Sequence, residues 1–236
     1  MITIGIIGIV AAFTMPVLIN QTKKKELQVA FKTTYSELNQ AAKLYYVHEG
    51  ISFPEDYTTR HQADGNLTST IKKLMKYFHG GSQYSSSYWG NEEEVLSYDI
   101  YILNNKEKND GTICNNTGYW TNNSGKIYSF NDPATDTLTN GPIICVDTNG
   151  QKKPNRYGYD VFLFMFTIDN TVIPMGMKHP NNPTNNSISI NGFVSGAEYC
   201  TYSKDTRAGG FSCASYALSD TSPEDPSKSY WRDFLK

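Results

Sequence analysis

Residues 1–19 form one apolar run without a charged side chain, in which Thr3 and Thr14 are the polar side chains. A helix of that length rises about 28 Å, close to the hydrocarbon thickness of a bilayer. A helix on the surface of a soluble domain carries a polar stripe, whereas every face of this helix would be apolar. We therefore expect residues 1–19 to lie in a membrane as a single-pass transmembrane helix.

The run has two other interpretations. A secretory signal peptide begins with basic residues and ends at a small-residue cleavage site, but no lysine or arginine precedes this run, and residues 23–25 after it are all lysine. An ordinary membrane anchor is the second alternative. The three lysines alone would then place the following domain in the cytoplasm, a placement that the cysteine pattern described below opposes.

The helical pattern continues beyond the apolar run and becomes amphipathic. Apolar residues recur there every three or four positions, which is typical of a helix with one packed face; they are Leu27, Phe31, Tyr35, Leu38, Ala42 and Tyr45. We expect one helix over residues 1–49, about 73 Å long, half in the membrane and half packed on a head. Pro16 removes one backbone hydrogen bond from this helix, and Gly50 is a natural stop.

Small residues and one proline occupy regular places in the run. Gly8 lies among isoleucines, Ala11 and Ala12 follow, and Pro16 closes the run. This order resembles the N-terminal helix of type IV pilins and type II secretion pseudopilins. The resemblance implies a structural filament subunit and not an enzyme, with Gly5, Gly8, Ala11 and Ala12 permitting close helix packing.

The resemblance also implies a location and a set of partners. Pilin precursors carry a basic leader and, after the cleavage site, an aromatic residue and a glutamate; aligned on Gly8 and Pro16, Met1 falls a few residues inside the mature family sequence. A prepilin peptidase would then act on a longer precursor. The subunit would cross the inner membrane once, among membrane lipid, with its head outside the cytoplasm. It would join other pilin or pseudopilin subunits through an inner-membrane assembly platform, in an extracellular or periplasmic filament.

A different class of protein fits the same anchor. A single-span, membrane-anchored extracellular binding protein or adhesin would keep its helix in the membrane and form no filament. Tyrosine and tryptophan are abundant after the anchor and could form a glycan-binding or other surface-binding face, although tyrosine is equally common at subunit interfaces; the aromatic residues considered are Tyr84, Tyr88, Trp89, Tyr119 and Trp120. The net charge of −2 gives no strong sign of nucleic-acid binding.

Residues 50–236 are expected to form one α+β head with an antiparallel sheet packed on the long helix. We predict a loop over 51–62, a helix over 66–78, a loop over 83–94 and a polar loop over 180–191. Short β-branched or aromatic segments predict strands, over 98–103, 126–130, 142–147, 161–168 and 171–175. Residues 168–171 read as a hairpin turn, and the almost wholly apolar segment 161–168 as a central strand. In the tail, Trp231 and Phe234 either dock on the head or stay loose.

Four cysteines lie in the second half of the chain: Cys114, Cys145, Cys200 and Cys213. No CxxC pair or histidine spacing suggests zinc, and an even number of widely spaced cysteines is typical of disulfides in an oxidising compartment. Three pairings are possible. Cys200 with Cys213 is favoured by the short, glycine-containing segment between them, which leaves Cys114 with Cys145. Four reduced, buried thiols are the alternative.

Two constellations in the head suggest chemistry. Asp147, Asn149 and Asp160 surround a glycine-containing turn and offer oxygen ligands for Ca²⁺, as in the C-terminal loop of major pseudopilins. The turn lacks a third acidic residue and a final glutamate, and an Asx-turn explains the same residues. Ser212, between Phe211 and Cys213, approaches a hydrolase nucleophile elbow, but the final glycine is replaced and no clear helical pattern follows.

Overall fold

The computed structural model describes residues 2–64, 67–78, 82–85, 99–106, 108, 113–114, 118–131, 142–177, 196–203 and 208–236. Its largest element is helix α1, Ile2–Glu49, which continues without a break through Pro16. The helix ends where the sequence predicts, because Gly50 adopts a left-handed conformation with φ 72°. The predicted polar loop over 180–191 lies outside the described residues.

Three further α-helices lie in the head: α2, Phe53–Asp64, α3, Leu67–Met75, and α4, Cys213–Ser219. Helix α3 confirms the helix predicted over 66–78, but the loop predicted over 51–62 is wrong. The Ser52 amide donates to Glu55 Oε2 at 3.2 Å, and the Glu55 amide donates to Ser52 Oγ at 3.4 Å. This reciprocal capping starts α2, and Pro54 is tolerated in the first turn because its missing N–H has no partner there in any helix.

The sheet has six antiparallel strands in sequential order. The strands are β1, Ser82–Ser85; β2, Tyr119–Asn122; β3, Ile127–Asn131; β4, Ile143–Asp147; β5, Val161–Phe166; and β6, Val172–Pro174. Strands β3 to β6 confirm four predicted strands within two residues of their starts. Every side chain of β5 is buried, and β4 and β6 flank it, as expected of a strand inside the sheet. Asn170, in the predicted hairpin turn, has φ 57°.

Three strand assignments from the sequence need correction. Residues 82–85 form β1, which includes the first three residues of the predicted loop 83–94, while residues 86–94 lie outside the described residues. Strand β2 was not predicted. In the segment 98–103, predicted as a strand, Tyr101 makes only isolated bridges, to Lys108 and Arg156. Strands β1 and β2 are four residues each, too short for a clear alternating pattern, and each is defined by its partner: Gln83 pairs with Thr121.

The C-terminal half of α1 packs on the sheet through a row of buried aromatic and aliphatic residues. Phe31 lies edge-on to Phe162, with 4.6 Å between ring centroids, and 5.8 Å from Phe164. Leu38 and Tyr45, each 0% exposed, continue the row toward the end of the helix. These positions recur about every seven residues and so lie on one face of α1. The packed half of α1 is therefore part of the core of the head.

Polar contacts fix the register of α1 on the sheet. Lys126 Nζ lies 2.6 Å from Glu37 Oε2 in a largely buried ion pair. The Val172 amide at the start of β6 donates to Asn39 Oδ1 at 3.0 Å. Lys126 lies next to β3 and Val172 in β6, and their partners Glu37 and Asn39 lie close together on α1. The helix therefore cannot slide along the sheet without breaking these contacts.

The tail docks on the head, which resolves the alternative left open by the sequence. Residues 230–234 form one π-helical turn in which Trp231 and Phe234 are buried. The Trp231 indole N–H donates to the Ala217 carbonyl at 2.8 Å, and the Tyr230 hydroxyl donates to the Gly158 carbonyl at 2.6 Å. The C-terminal turn is thus held by both its apolar and its polar groups.

Candidate functional site

The N-terminal half of α1 presents exposed apolar side chains. Between residues 12 and 26 every described side chain is exposed except Lys24. Phe13 is 77% exposed, Leu18 65% and Ile19 53%. Burial of such side chains contributes roughly 1.5–3 kcal/mol each, so this half of the helix favours an apolar environment or a protein partner. It is a candidate interaction surface.

The residues predicted to pack helices together all lie in α1. Ala12 and Pro16 are exposed. The backbone of Gly5, Gly8 and Ala11 is helical, while their side-chain surroundings lie outside the described part of the structure. Among the described residues, no helix combines the length and apolar character needed to cross a membrane.

The disulfide pairing predicted from the sequence is confirmed. Cys114 bonds to Cys145, with Cα atoms 6.0 Å apart, and Cys200 bonds to Cys213, with Cα atoms 4.9 Å apart. The first bridge ties the segment before β2 to β4, and the second ties a loop to the first residue of α4. The alternative of four reduced thiols is wrong.

The residues predicted to bind calcium lie close together, in a loop that is held by hydrogen bonds. The Asp160 carboxylate accepts the backbone N–H of Asn155 on Oδ2 at 2.8 Å and that of Arg156 on Oδ1 at 2.7 Å. The Asn149 amide donates to Asp147 Oδ1 at 3.2 Å, which is an Asx-turn.

A calcium ion would need oxygens that converge on one point. Here both Asp160 oxygens already face backbone donors, and no group of three or more His, Cys, Asp or Glu in the described ranges is arranged to hold a metal. The donor set as arranged does not fit Ca²⁺, and the Asx-turn alternative accounts for Asp147 and Asn149. Calcium binding stays an untested prediction.

Asp160 is also a strongly perturbed carboxyl group among the described residues of the head. Burial raises its pKa to about 7, although the N–H donors of Arg156 and Asn155 and the side chain of Asn149 act in the opposite direction. The group lies in the interior at 0% exposure. A side chain that appeared from the sequence to be a metal ligand therefore serves to hold the chain segment between β4 and β5.

The remaining candidates divide between buried and undescribed residues. Trp120, considered for a binding face, is 1% exposed and packs against Phe130 with ring centroids 5.6 Å apart, so its place on a surface is wrong. Tyr119 is half-buried. Tyr88 and Trp89 lie outside the described residues, as does the side chain of Tyr84.

The segment around Ser212, which only partly resembles a hydrolase nucleophile elbow in sequence, is followed by a helix that the sequence did not clearly indicate. Helix α4 begins at Cys213, directly after Ser212. Ser212 Oγ is buried and has no hydrogen-bond partner among the described residues. A nucleophilic serine needs a base within hydrogen-bond reach and access to substrate. No described group within hydrogen-bond reach of Ser212 Oγ would activate it as a nucleophile.

One polar contact of α1 was not anticipated from the sequence. The Lys24 ammonium donates to the backbone carbonyl of Arg232 at 3.1 Å and to that of Leu235. Lysine near the C-terminal end of a helical turn stabilises its unpaired carbonyls. The signal in the sequence was the aromatic tail, which left open whether the tail docks and did not indicate what it would contact.

Comparisons of this chain with protein families, curated proteins and solved structures found no match.

Proposed function

We propose that this chain is a structural subunit of a type IV pilus or a type II secretion pseudopilus. The observation that carries the proposal is a single helix, Ile2–Glu49, whose first part is apolar in sequence and whose last part is packed in the core of a head. Such a helix offers one surface to lipid or to other helices and another to its own sheet. The order of Gly8, Ala11, Ala12 and Pro16 within it supports the family proposed.

The mechanism we propose is mechanical. Before assembly the bilayer holds the apolar part of α1, with the helix crossing the inner membrane once and the head outside the cytoplasm. During assembly an inner-membrane platform transfers the helix into a bundle of equivalent helices, replacing lipid contacts with protein contacts, so that the apolar side chains do not enter water. Gly5, Gly8, Ala11 and Ala12 would permit the close approach. The disulfides suit an oxidising location.

A filament test uses cells that produce the chain. Ala12→Cys places a thiol on the exposed part of α1, and Asn123→Cys places one on an exposed turn of the head as a matched control. After shearing and oxidation, a filament gives disulfide-linked dimers through residue 12, because neighbouring helices lie side by side and each chain has one free thiol. The same dimer from Asn123→Cys alone, or monomers only, contradicts helix bundling.

A second test asks whether α1 inserts into the membrane, by placing a lysine either in α1 or in the head. A lysine in the centre of a transmembrane helix costs about 2.5–3.5 kcal/mol, so Ile9→Lys should lower retention in carbonate-washed membranes. Ile168→Lys, at a head position that is 39% exposed, should leave retention unchanged. If the chain remains membrane-bound but never appears in the sheared fraction, the single-span binding protein or adhesin is the better assignment.

A further inference from the structure

An open cavity of about 560 Å³ lies between α1 and the C-terminal turn. Its size is within the range of small-molecule sites. One wall comes from α1 residues 20–28 and the other from the tail and the end of α4. Among its lining residues are Gln21, Lys24, Lys25, Asp220, Trp231 and Arg232.

The cavity favours an anion. Three of its lining residues are cationic, and its one carboxylate, Asp220, already accepts the Ser229 hydroxyl at 2.6 Å and the Trp231 amide at 3.1 Å. Arg232 shares its charge with Asp233 through a bidentate ion pair. Lys25, by contrast, is exposed and has no partner among the described residues.

Two contacts make the cavity a fixed shape. Lys24 donates to the carbonyls of Arg232 and Leu235, which joins the two walls. The Trp231 ring, 3% exposed, is held by its indole N–H bond to Ala217. Lys25 and Arg232 therefore line opposite walls that are joined before an anion binds, so little ordering of the backbone is needed.

The height of the cavity along α1 indicates the source of the anion. Its first lining residue, Asn20, directly follows the apolar run. Lys25 lies about 7.5 Å beyond Asn20 along the helix axis, which is within the polar headgroup layer of a bilayer, roughly 5–8 Å on each side. This step rests on the proposed membrane position of residues 1–19.

We propose that this cavity binds the phosphate of an anionic phospholipid headgroup, with Lys25 as its main ligand and, on the opposite wall, the Arg232 N–H groups that Asp233 does not occupy as the second. The bound headgroup sets the height and rotation of the head on the membrane surface before the helix is extracted. Free inorganic phosphate has the same chemistry, but the lipid layer supplies the group at the level of the cavity.

The test uses the full chain in detergent micelles, titrated with phosphatidylglycerol or with phosphatidylcholine, and native mass spectrometry counts the lipids retained. A basic residue near an anionic lipid surface contributes about 1 kcal/mol, or about fivefold in affinity. Lys25→Gln should raise the half-saturating phosphatidylglycerol concentration about fivefold, and Lys25→Gln with Arg232→Gln further. Gln21→Trp, which fills the cavity without changing charge, should also weaken retention.

Lys23→Gln is the matched control, because Lys23 is exposed at nearly the same height but does not line the cavity. Less than a twofold effect is expected. An effect of Lys23→Gln equal to that of Lys25→Gln, equal retention of both lipids, or saturable binding of inorganic phosphate that excludes the lipid would overturn the proposal. Vesicle flotation separates the two hypotheses: a chain that fails to float overturns the membrane position as well, whereas one that floats without lipid preference overturns this inference alone.

Discussion

Replacing Phe31 by alanine tests whether α1 is held on the head by its aromatic row. The side chain is 0% exposed and contacts Phe162, Phe164 and Trp231, with ring centroids 4.6, 5.8 and 5.8 Å away. Truncation of a buried phenylalanine costs about 3–5 kcal/mol. The edge-on contact with Phe162 adds roughly 0.5–1.5 kcal/mol beyond buried area. We therefore expect a loss of about 4 kcal/mol.

The measurement is urea unfolding of the full chain in detergent, followed by tryptophan fluorescence. With a urea dependence of about 2 kcal/mol per molar, the loss moves the midpoint by about 2 M. Val29→Ala is the matched control: it is 64% exposed, on the same helix, and should change stability by less than about 0.5 kcal/mol. A loss below about 1 kcal/mol for Phe31→Ala, or equal losses for the two variants, refutes the packing of α1 through this row.

Three other perturbations follow from the geometry of the head. Gly158→Ala places alanine at φ +80° and brings its Cβ within 2.9 to 3.1 Å of three side chains, so the free energy of unfolding, measured by thermal unfolding, should fall by about 2–5 kcal/mol. Gly125→Ala, also at a positive φ but with nothing within 4 Å, should cost about 1–2 kcal/mol. Equal losses for the two variants contradict the close contacts. Replacing Cys200 and Cys213 together by alanine frees a loop with a sequence separation of 13 and should lower the free energy of unfolding by about 3 kcal/mol relative to the oxidised wild type. The reduced wild type, which has lost the Cys114–Cys145 bridge as well, should be less stable than the oxidised variant; a variant as stable as the oxidised wild type contradicts a stabilising role for this bridge. For Asp160, the unfolded carboxyl releases its proton near its ordinary pKa of 3.8 and the folded one near 7. The folded state therefore binds more protons between these pH values, so the free energy of unfolding should fall with rising pH by up to about 1.4 kcal/mol per pH unit. Chemical denaturation at several pH values should find a flatter slope for Asp160→Asn. The same slope in both proteins excludes Asp160 as its source.

Local patterns in the sequence account for much of the fold. The apolar periodicity of residues 27–45 was sufficient to predict the packed half of α1, since residues three or four apart share a face of any helix. The capping signature of Ser52 and Glu55 was also present in the sequence, and reading it would have given α2. Strands β1 and β2 carry no comparable local signal, because a strand of four residues is stabilised by its neighbour in the sheet.

Some features of the candidate sites could likewise be predicted from local sequence, and others could not. The cysteine pairing was predictable because a short, glycine-containing segment favours closure between Cys200 and Cys213. The role of Asp160 was not predictable, since its partners are backbone N–H groups, and any residue type can supply those. Trp120 was predicted for a binding face or a subunit interface, whereas in the structure it is buried beside Phe130.

The sequence by itself determined that the chain begins with an apolar helix, continues as an amphipathic one and carries paired cysteines. Each of these depends on residues close together in the chain. The tertiary structure alone decided that Lys24 binds the carbonyl of Arg232, a residue 208 positions away, and that a basic cavity opens there. Such a contact depends on the path of the whole chain, because a hydrogen bond forms only where packing brings donor and acceptor within about 3 Å.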